Sequence, residues 1–461
     1  MNVVFLGGGS LRLLPLIRGI FSASPDIFRN GTIRLVDREV GRAEAVGKLI
    51  MACPEYAQVG CQVVWTDDLD SVLPGTDVVY LTMAAQRVPS QSQAMFLGNR
   101  YGFVSSDNLS VTGAFLSLRL GRIILNIARK MEQHCPNALM LIFPNPVAVY
   151  SHLVNTHTRI RALGICGGFN NHRWDLSRLT GCNGFDPQWQ VVAAGVNHLS
   201  FILRGSRAGR DLYSEILPEC LKEGWQPPAI SGVSPYTEQC IRQALIWLNR
   251  LYRRCGTLVF STEADGMGHI FRDDYLEWQL KTWGTGRSFD PAEAIRKDRQ
   301  KTAADFQALA EASRDPRKID WSAGNGLFRK QETDITIPLF HALAGLGTMR
   351  IAASRPNGNA VRGFGQDVPL EYTMDVSEAG IRPVEDQYVP EPFSGLIASL
   401  AEFQRLQSEA IAAWDPRIFA YALDAYPVRQ FERKRSEFYR KMFEVFSDID
   451  PEMLAARSFF G

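Results

Sequence analysis

An apolar run, Val3 to Leu6, passes directly into Gly7-Gly8-Gly9-Ser10 and then into a segment with helical periodicity, Leu11 to Phe21. A glycine-rich turn at a strand-to-helix junction lets backbone N–H groups approach a pyrophosphate, whose charge the positive end of the helix dipole then meets. Gly7, Gly9 and Ser10 are therefore the first candidates for contact with a dinucleotide. The usual third glycine is missing, because position 12 is Arg. Asp37 closes the next strand of the unit, where a carboxylate accepts from a ribose hydroxyl and disfavours a 2′-phosphate. NAD is thus expected over NADP, with Arg38 alongside acting in the opposite sense. Thr82, ending a further strand, is counted with the cofactor contacts. Asn145 stands between Pro144 and Pro146 just past the run Leu139 to Phe143. Held rigidly at the edge of the sheet where such folds bind ligands, it can bond the nicotinamide ribose or a substrate hydroxyl.

The elements that position these residues follow from periodicity. Short apolar runs recur at Ile33 to Val36, Val63 to Trp65, Val78 to Thr82, Leu139 to Phe143 and Ala162 to Ile165, separated by helical patterns such as Arg38 to Met51 and Phe115 to His134. Buried strands alternating with helices make a parallel sheet covered on both faces. The expectation is an α/β protein: an N-terminal Rossmann-type, doubly wound domain over residues 1–190, then a mixed α+β domain over 191–461. In the second part Gln190–Ala194 and Leu199–Leu203 flank Gly195-Val196-Asn197-His198. Helical patterns follow at Leu212–Glu223, Glu238–Tyr252, Pro291–Ala312 and Leu396–Leu423, with an antiparallel ribbon expected over Val361 to Val376.

Fifty basic residues against forty-nine acidic ones give a net charge of +1, which argues against a nucleic-acid partner bound through whole-surface electrostatics and favours a small molecule. The start lacks the basic and uninterrupted apolar regions of a signal peptide, and no run reads as a membrane span. The eight cysteines are scattered, with no Cys-x-x-Cys pair. That pattern reads as reduced thiols in a cytoplasmic protein without a membrane partner.

The chain resembles glycoside hydrolase family 4, the NAD- and metal-dependent glycosidases. Besides Gly7–Ser10, Asp37 and Asn145-Pro146, the resemblance rests on Met131-Glu132-Gln133-His134-Cys135-Pro136-Asn137-Ala138, Gly164-Ile165-Cys166, Gly195-Val196-Asn197-His198 and Asp265 to His269. It continues through Asn357-Gly358, Gly380-Ile381-Arg382-Pro383 and Ala422-Leu423-Asp424-Ala425-Tyr426-Pro427. It implies that the second domain is related to the C-terminal domain of lactate and malate dehydrogenases, and that Cys166 and His198 hold a divalent metal, usually Mn2+. A thiolate with an imidazole suits a borderline transition metal. Two departures stand out. Gly167 and Gly168 follow the cysteine where many members carry His, Asp or Asn, and Ser106 to Gly113 stands where the family carries Glu-Thr and then Gly-Pro-Gly-Gly, so that Asp107, Asn108 or Thr112 takes over some of those contacts; Asp107, Asn108 and Asn170 join Asn145 as candidate substrate contacts.

The implied reaction is redox-elimination, an exception to two-carboxylate glycosidase chemistry: C3 oxidation by NAD+, C2 deprotonation, elimination of the aglycone, water addition and re-reduction. Asp265 is the first candidate for the base, with His269 and Tyr275 behind it. Arg87, Arg272 and Arg350 are candidate contacts for a phosphate or carboxylate on a glycoside substrate. A homodimer or homotetramer is expected. Two other readings compete: an NAD-dependent dehydrogenase of a hydroxy acid or sugar, and an NAD-binding homologue without turnover.

Overall fold

The computed structural model describes residues 1–83, 88–182, 186–259, 264–283, 291–322, 326–428 and 430–461. Among the described residues thirteen strands form one sheet: β1 Val3–Leu6, β2 Thr32–Val36, β3 Gln62–Thr66, β4 Val78–Leu81, β5 Leu139–Ile142, β6 Arg161–Gly164, β7 Gln190–Val196, β8 Leu199–Arg207, β9 Arg210–Asp211, β10 Leu258–Val259, β11 Met349–Pro356, β12 Pro369–Ser377 and β13 Gly380–Pro383. The order runs β10-β8-β7-β12-β11-β6-β5-β4-β1-β2-β3, with β13 on β12 and β9 on β8. Strands β1 to β6 pair in parallel. As the composition of these runs requires, β1, β4 and β5 are buried along their whole length. The Rossmann-type half is therefore present as expected, and the remaining strands are antiparallel.

The two halves are continuous through a narrow seam. Ser354 of β11 pairs with Gly164 of β6 across it, and within the second half Glu371 and Tyr372 of β12 pair with Gly195 and Ala194 of β7. A second tie comes from the helix Thr336–Leu343, whose Phe340 packs its ring on Phe5, Phe28 and Tyr80 of the N-terminal half.

Several expected bounds shift for local reasons. The first helix is Leu13–Ala23, not Leu11 to Phe21, since Ser10 and the residues after it form turns before the helical bonds begin. The ribbon is β11 against β12, and most of Val361 to Val368 belongs to the loop between them. Buried Asn357 holds that loop, donating to the carbonyls of Val361, Phe364 and Gly365 and accepting from Val361 N–H. The pattern Leu396–Leu423 is two helices, Glu391–Ala413 and Pro416–Ala425: Trp414 turns left-handed at φ +54°, Asp415 caps the next helix, and Pro416 takes its first turn, where the missing N–H costs nothing. Leu212–Glu223 shortens to a π-turn, Leu212–Ile216, and one α-turn, Leu217–Cys220. The helix Val111–His134 is, contrary to expectation, long and apolar enough to cross a bilayer, but 78% of its apolar window is buried inside the fold, as for a core helix.

One buried histidine gives the core a pH response. His152, 1% exposed on the helix Val147–His157, pairs Nδ1 with the Ser408 hydroxyl at 2.8 Å and Nε2 with the Asp367 carbonyl at 2.5 Å. Neutral imidazole satisfies both partners by donating from Nε2 and accepting at Nδ1. Burial, opposed by the Asp367 carbonyl, pushes its pKa down from 6.5 to about 4. Below 6.5 the unfolded chain binds this proton and the folded chain does not, so stability is full above that pH and declines as pH falls to about 4, by roughly 3 kcal/mol. Melting curves of wild type and His152→Gln between pH 7 and 4 check this. The variant is expected to lose less stability over that window, and parallel curves would remove His152 as the cause.

Candidate active site

The parallel strands β1, β4, β5 and β6 deliver their C-terminal ends to one edge of the sheet. At β1, Gly7 has φ +88°, and Gly7 and Gly8 both donate to the Val36 carbonyl, at 3.0 and 2.8 Å. A Cβ on Gly8 would lie 2.6 Å from Val36 N, and one on Gly9 would lie 2.5 Å from the Arg42 Cβ, so this turn admits no side chains. Asp37 braces it: Oδ2 accepts from Gly9 N–H at 2.9 Å and Oδ1 from Glu39 N–H at 3.0 Å. A carboxylate has about four acceptor sites, which leaves capacity for a ribose hydroxyl. Thr82 donates to the carbonyls of Leu6 and Gly7, each at 3.2 Å, which places it behind the turn. Arg12, where the third glycine would be, lays its guanidinium 3.6 Å from the centre of the Phe143 ring and pairs with Asp334 at 2.5 Å. The glycine cradle thus fits a dinucleotide pyrophosphate, with a guanidinium at its margin.

The same aromatic ring leads to the second group of residues. Phe143 is also the neighbour that a Cβ on Gly167 would meet, at 3.5 Å. Beside Gly167, Cys166 lies just past β6, and its Sγ accepts from Gly168 N–H at 3.3 Å. Facing Sγ at 3.6 Å is Nε2 of His198, the second residue of the two-residue turn between β7 and β8. At the opposite face of the ring system, His198 Nδ1 donates to Asp265 at 3.0 and 3.2 Å. Asp265 can only accept, so it fixes a proton on Nδ1 and turns Nε2 toward sulfur; in the neutral imidazole Nε2 is then the nitrogen open to a metal. Burial alone would depress the His198 pKa, but the Asp265 carboxylate and Cys166 draw it well above the usual value; the Asp265 carboxyl, despite burial, is held down to about 2 by His198. A separation of 3.6 Å suits sulfur and nitrogen sharing one cation at bond lengths of roughly 2.3 and 2.1 Å, as zinc shows. The donor set and its spacing fit a borderline divalent metal.

The structure brings other predicted residues into the same place. Asn145, whose peptide bond to Pro146 is cis, donates to Asp107 Oδ1 at 3.1 Å. Asn108 donates to Asn197 Oδ1, and its own Oδ1 is buried without a partner among the described residues. Ser106 and Ser110 tie this loop by mutual side-chain and backbone bonds.

The three candidate catalytic groups are all committed to protein partners. Asp265 faces His198; His269 bonds the Asp265 carbonyl through Nδ1 at 2.7 Å and the Tyr426 hydroxyl through Nε2 at 2.9 Å; and Tyr275, 1% exposed, donates to the Ser105 carbonyl. Arg350 is paired with Asp375 at 2.8 and 2.9 Å and Arg272 with Asp273, so neither stands as a dedicated anion site. Arg87 and the side chain of Asn170 lie outside the described residues. Sequence reasoning missed Glu371 and the part played by Asn197, because Glu371 looks like one more residue of an alternating strand.

A Rossmann-type sheet carrying a glycine cradle at one strand end and a sulfur–imidazole pair at another defines a cofactor-using enzyme architecture. The chain belongs to the family 4 glycosyl hydrolases: the family model matches residues 2–180 and that of the family's C-terminal domain residues 193–427. Relatives over nearly the whole length include the 6-phospho-beta-glucosidase of Escherichia coli (strain K12), 21% identical, covering 96% of this chain and 94% of the relative. The alpha-galacturonidase of Thermoanaerobacter italicus is 19% identical, covering 96% of each. Among solved structures, a 6-phospho-alpha-glucosidase from gut microorganisms in complex with NAD and Mn2+ shares the fold, with a TM-score of 0.76 at 17% identity over 98% of this chain and 99% of that one.

Proposed function

We propose that the protein hydrolyses a glycosidic bond by NAD-dependent redox-elimination with a divalent metal, most naturally Mn2+. The observation that carries this reading is the 3.6 Å approach of Cys166 Sγ to His198 Nε2 at the sheet edge that also bears the glycine turn. When bound, NAD+ supplies a hydride acceptor and the cation a Lewis acid for charge on the oxidised sugar. The chain's own residues do the rest. Gly7 to Ser10 and the start of the first helix receive the pyrophosphate, and Asp37 receives the ribose. Cys166 and His198 grip the cation, and Asp265 orients His198. Asn145 and Asp107, both part-buried, present amide and carboxylate groups to sugar hydroxyls; Asn108, fully buried, acts behind them by holding Asn197. Solved relatives that hold NAD and Mn2+ support the cofactor assignment.

The test is a screen of aryl glycosides, their 6-phosphates and uronides with NAD+, Mn2+ and a thiol reductant. Aglycone release is expected to need only catalytic NAD+, to leave no net NADH, and to place solvent deuterium at C2 of the released sugar. Accumulating NADH without hydrolysis would assign a dehydrogenase. NAD binding without metal binding or turnover would assign a non-catalytic homologue.

A further inference from the structure

The two metal-ligating side chains sit on strands that do not touch. Cys166 follows β6 and His198 follows β7, and between them lie β11 and β12. One row of residues crosses the gap: Gly164 of β6 pairs with Ser354 of β11, Ser354 with Glu371 of β12, and Glu371 with Gly195 of β7. Cys166 is two residues beyond one end of that row, and His198 three beyond the other. The distance between sulfur and imidazole is therefore set by how this row is held.

His198 also needs holding locally. It has φ +70°, a left-handed conformation that costs an L-residue other than glycine free energy and persists only where the surroundings enforce it. What encloses the turn is a carboxylate, 4% exposed. Glu371 Oε2 accepts from Asn197 Nδ2 at 2.6 Å and Oε1 from the Ser200 hydroxyl at 3.0 Å, so its two oxygens grip the residues on either side of His198 and Leu199. Asn197 is gripped from the other side by Asn108. Burial pushes the Glu371 pKa up, against the two donors.

We infer that Glu371 is a positioning residue for the metal centre, fixing the left-handed Asn197–His198 turn so that Nε2 is presented to Cys166. Among the described residues its side-chain hydrogen bonds go to Asn197 and Ser200, not to either ligand, and it acts through them. The inference rests on the metal-binding reading above.

Titration of Mn2+ by the loss of its free six-line EPR signal, in the full chain with NAD+ present, provides the test. Glu371→Ala is expected to weaken Mn2+ binding 10- to 100-fold, the usual consequence of losing a group that orients a ligand, while NAD affinity stays within about twofold of wild type. Glu371→Gln should recover most of the affinity, because its amide oxygen can accept from Asn197 and its N–H can donate to the Ser200 oxygen. Ser200→Ala, a smaller change that keeps the strand intact, should give an intermediate loss and serves if Glu371→Ala does not fold. Folded Glu371→Ala, or Ser200→Ala in its place, binding Mn2+ as wild type does would overturn the inference alone. Equal losses of Mn2+ and NAD affinity would also overturn it, by showing a general loosening of the fold. Wild type that binds no Mn2+ would overturn the metal reading and this inference together.

Discussion

Cys166→Ser is expected to abolish Mn2+ retention and to lower kcat/KM for glycoside hydrolysis about a thousandfold. The physical reason is the difference between a thiolate and a hydroxyl. A thiol gives up its proton to a metal near neutral pH and becomes an anionic donor, whereas a serine hydroxyl remains protonated and binds weakly. The Gly168 N–H that points at Sγ would face a neutral oxygen, and His198 alone would hold the cation. A Lewis acid acting on a developing enolate supplies several kcal/mol, and about 4 kcal/mol corresponds to about a thousandfold in rate. The change is confined to that function: Cys166 is only partly buried and lies at the end of β6, outside the apolar core. Melting temperature and NAD affinity should therefore stay near wild type. Metal content after gel filtration and rates on the active glycoside check this, and an unchanged metal content with unchanged rate would remove Cys166 from the site.

Much of this arrangement is legible in the sequence, and the reason differs from part to part. Strands β1 to β6 announce themselves because each is a short apolar run closed by turn residues, and the glycines after Leu6 have a local cause that any reader of backbone sterics can name. The pairing of Cys166 with His198 is legible only through resemblance, since neither their strands nor their spacing shows that they meet. The missing fact is the insertion of β11 and β12 between β6 and β7. Pairing between residues about 190 positions apart, such as Gly164 with Ser354, leaves no periodic trace in either segment. Glu371 was missed for the same reason, since its donors lie 171 and 174 residues away. The break at Trp414 was within reach: Asp415-Pro416 is a capping pair, and amphipathic spacing on both sides hid it. His198 and Asp265 carry separate expected tasks, ligand and base, because a hydrogen bond across 67 residues is a tertiary fact.

That bond makes Asp265→Asn the more discriminating substitution. In wild type the carboxylate can only accept, so it fixes the proton on Nδ1 and leaves Nε2 free for the cation. An amide of the same shape can turn its NH2 toward Nδ1, favouring the tautomer whose Nε2 carries the proton and is closed to metal. It also removes the negative charge that makes the imidazole a stronger donor. Mn2+ affinity is therefore expected to fall 10- to 100-fold, and hydrolysis at ordinary Mn2+ to fall with it. Raising Mn2+ to saturation should bring kcat back to within about tenfold of wild type, because the cation itself can select the open tautomer once its concentration exceeds the new Kd. The alternative role for Asp265, direct removal of the C2 proton, makes the opposite forecast: kcat stays depressed by a factor of about 100 or more at any Mn2+ concentration, since no metal replaces a lost base. Rate against Mn2+ concentration in the two proteins separates the roles, and with both oxygens within 3.2 Å of Nδ1 the orienting role is the one the geometry supports.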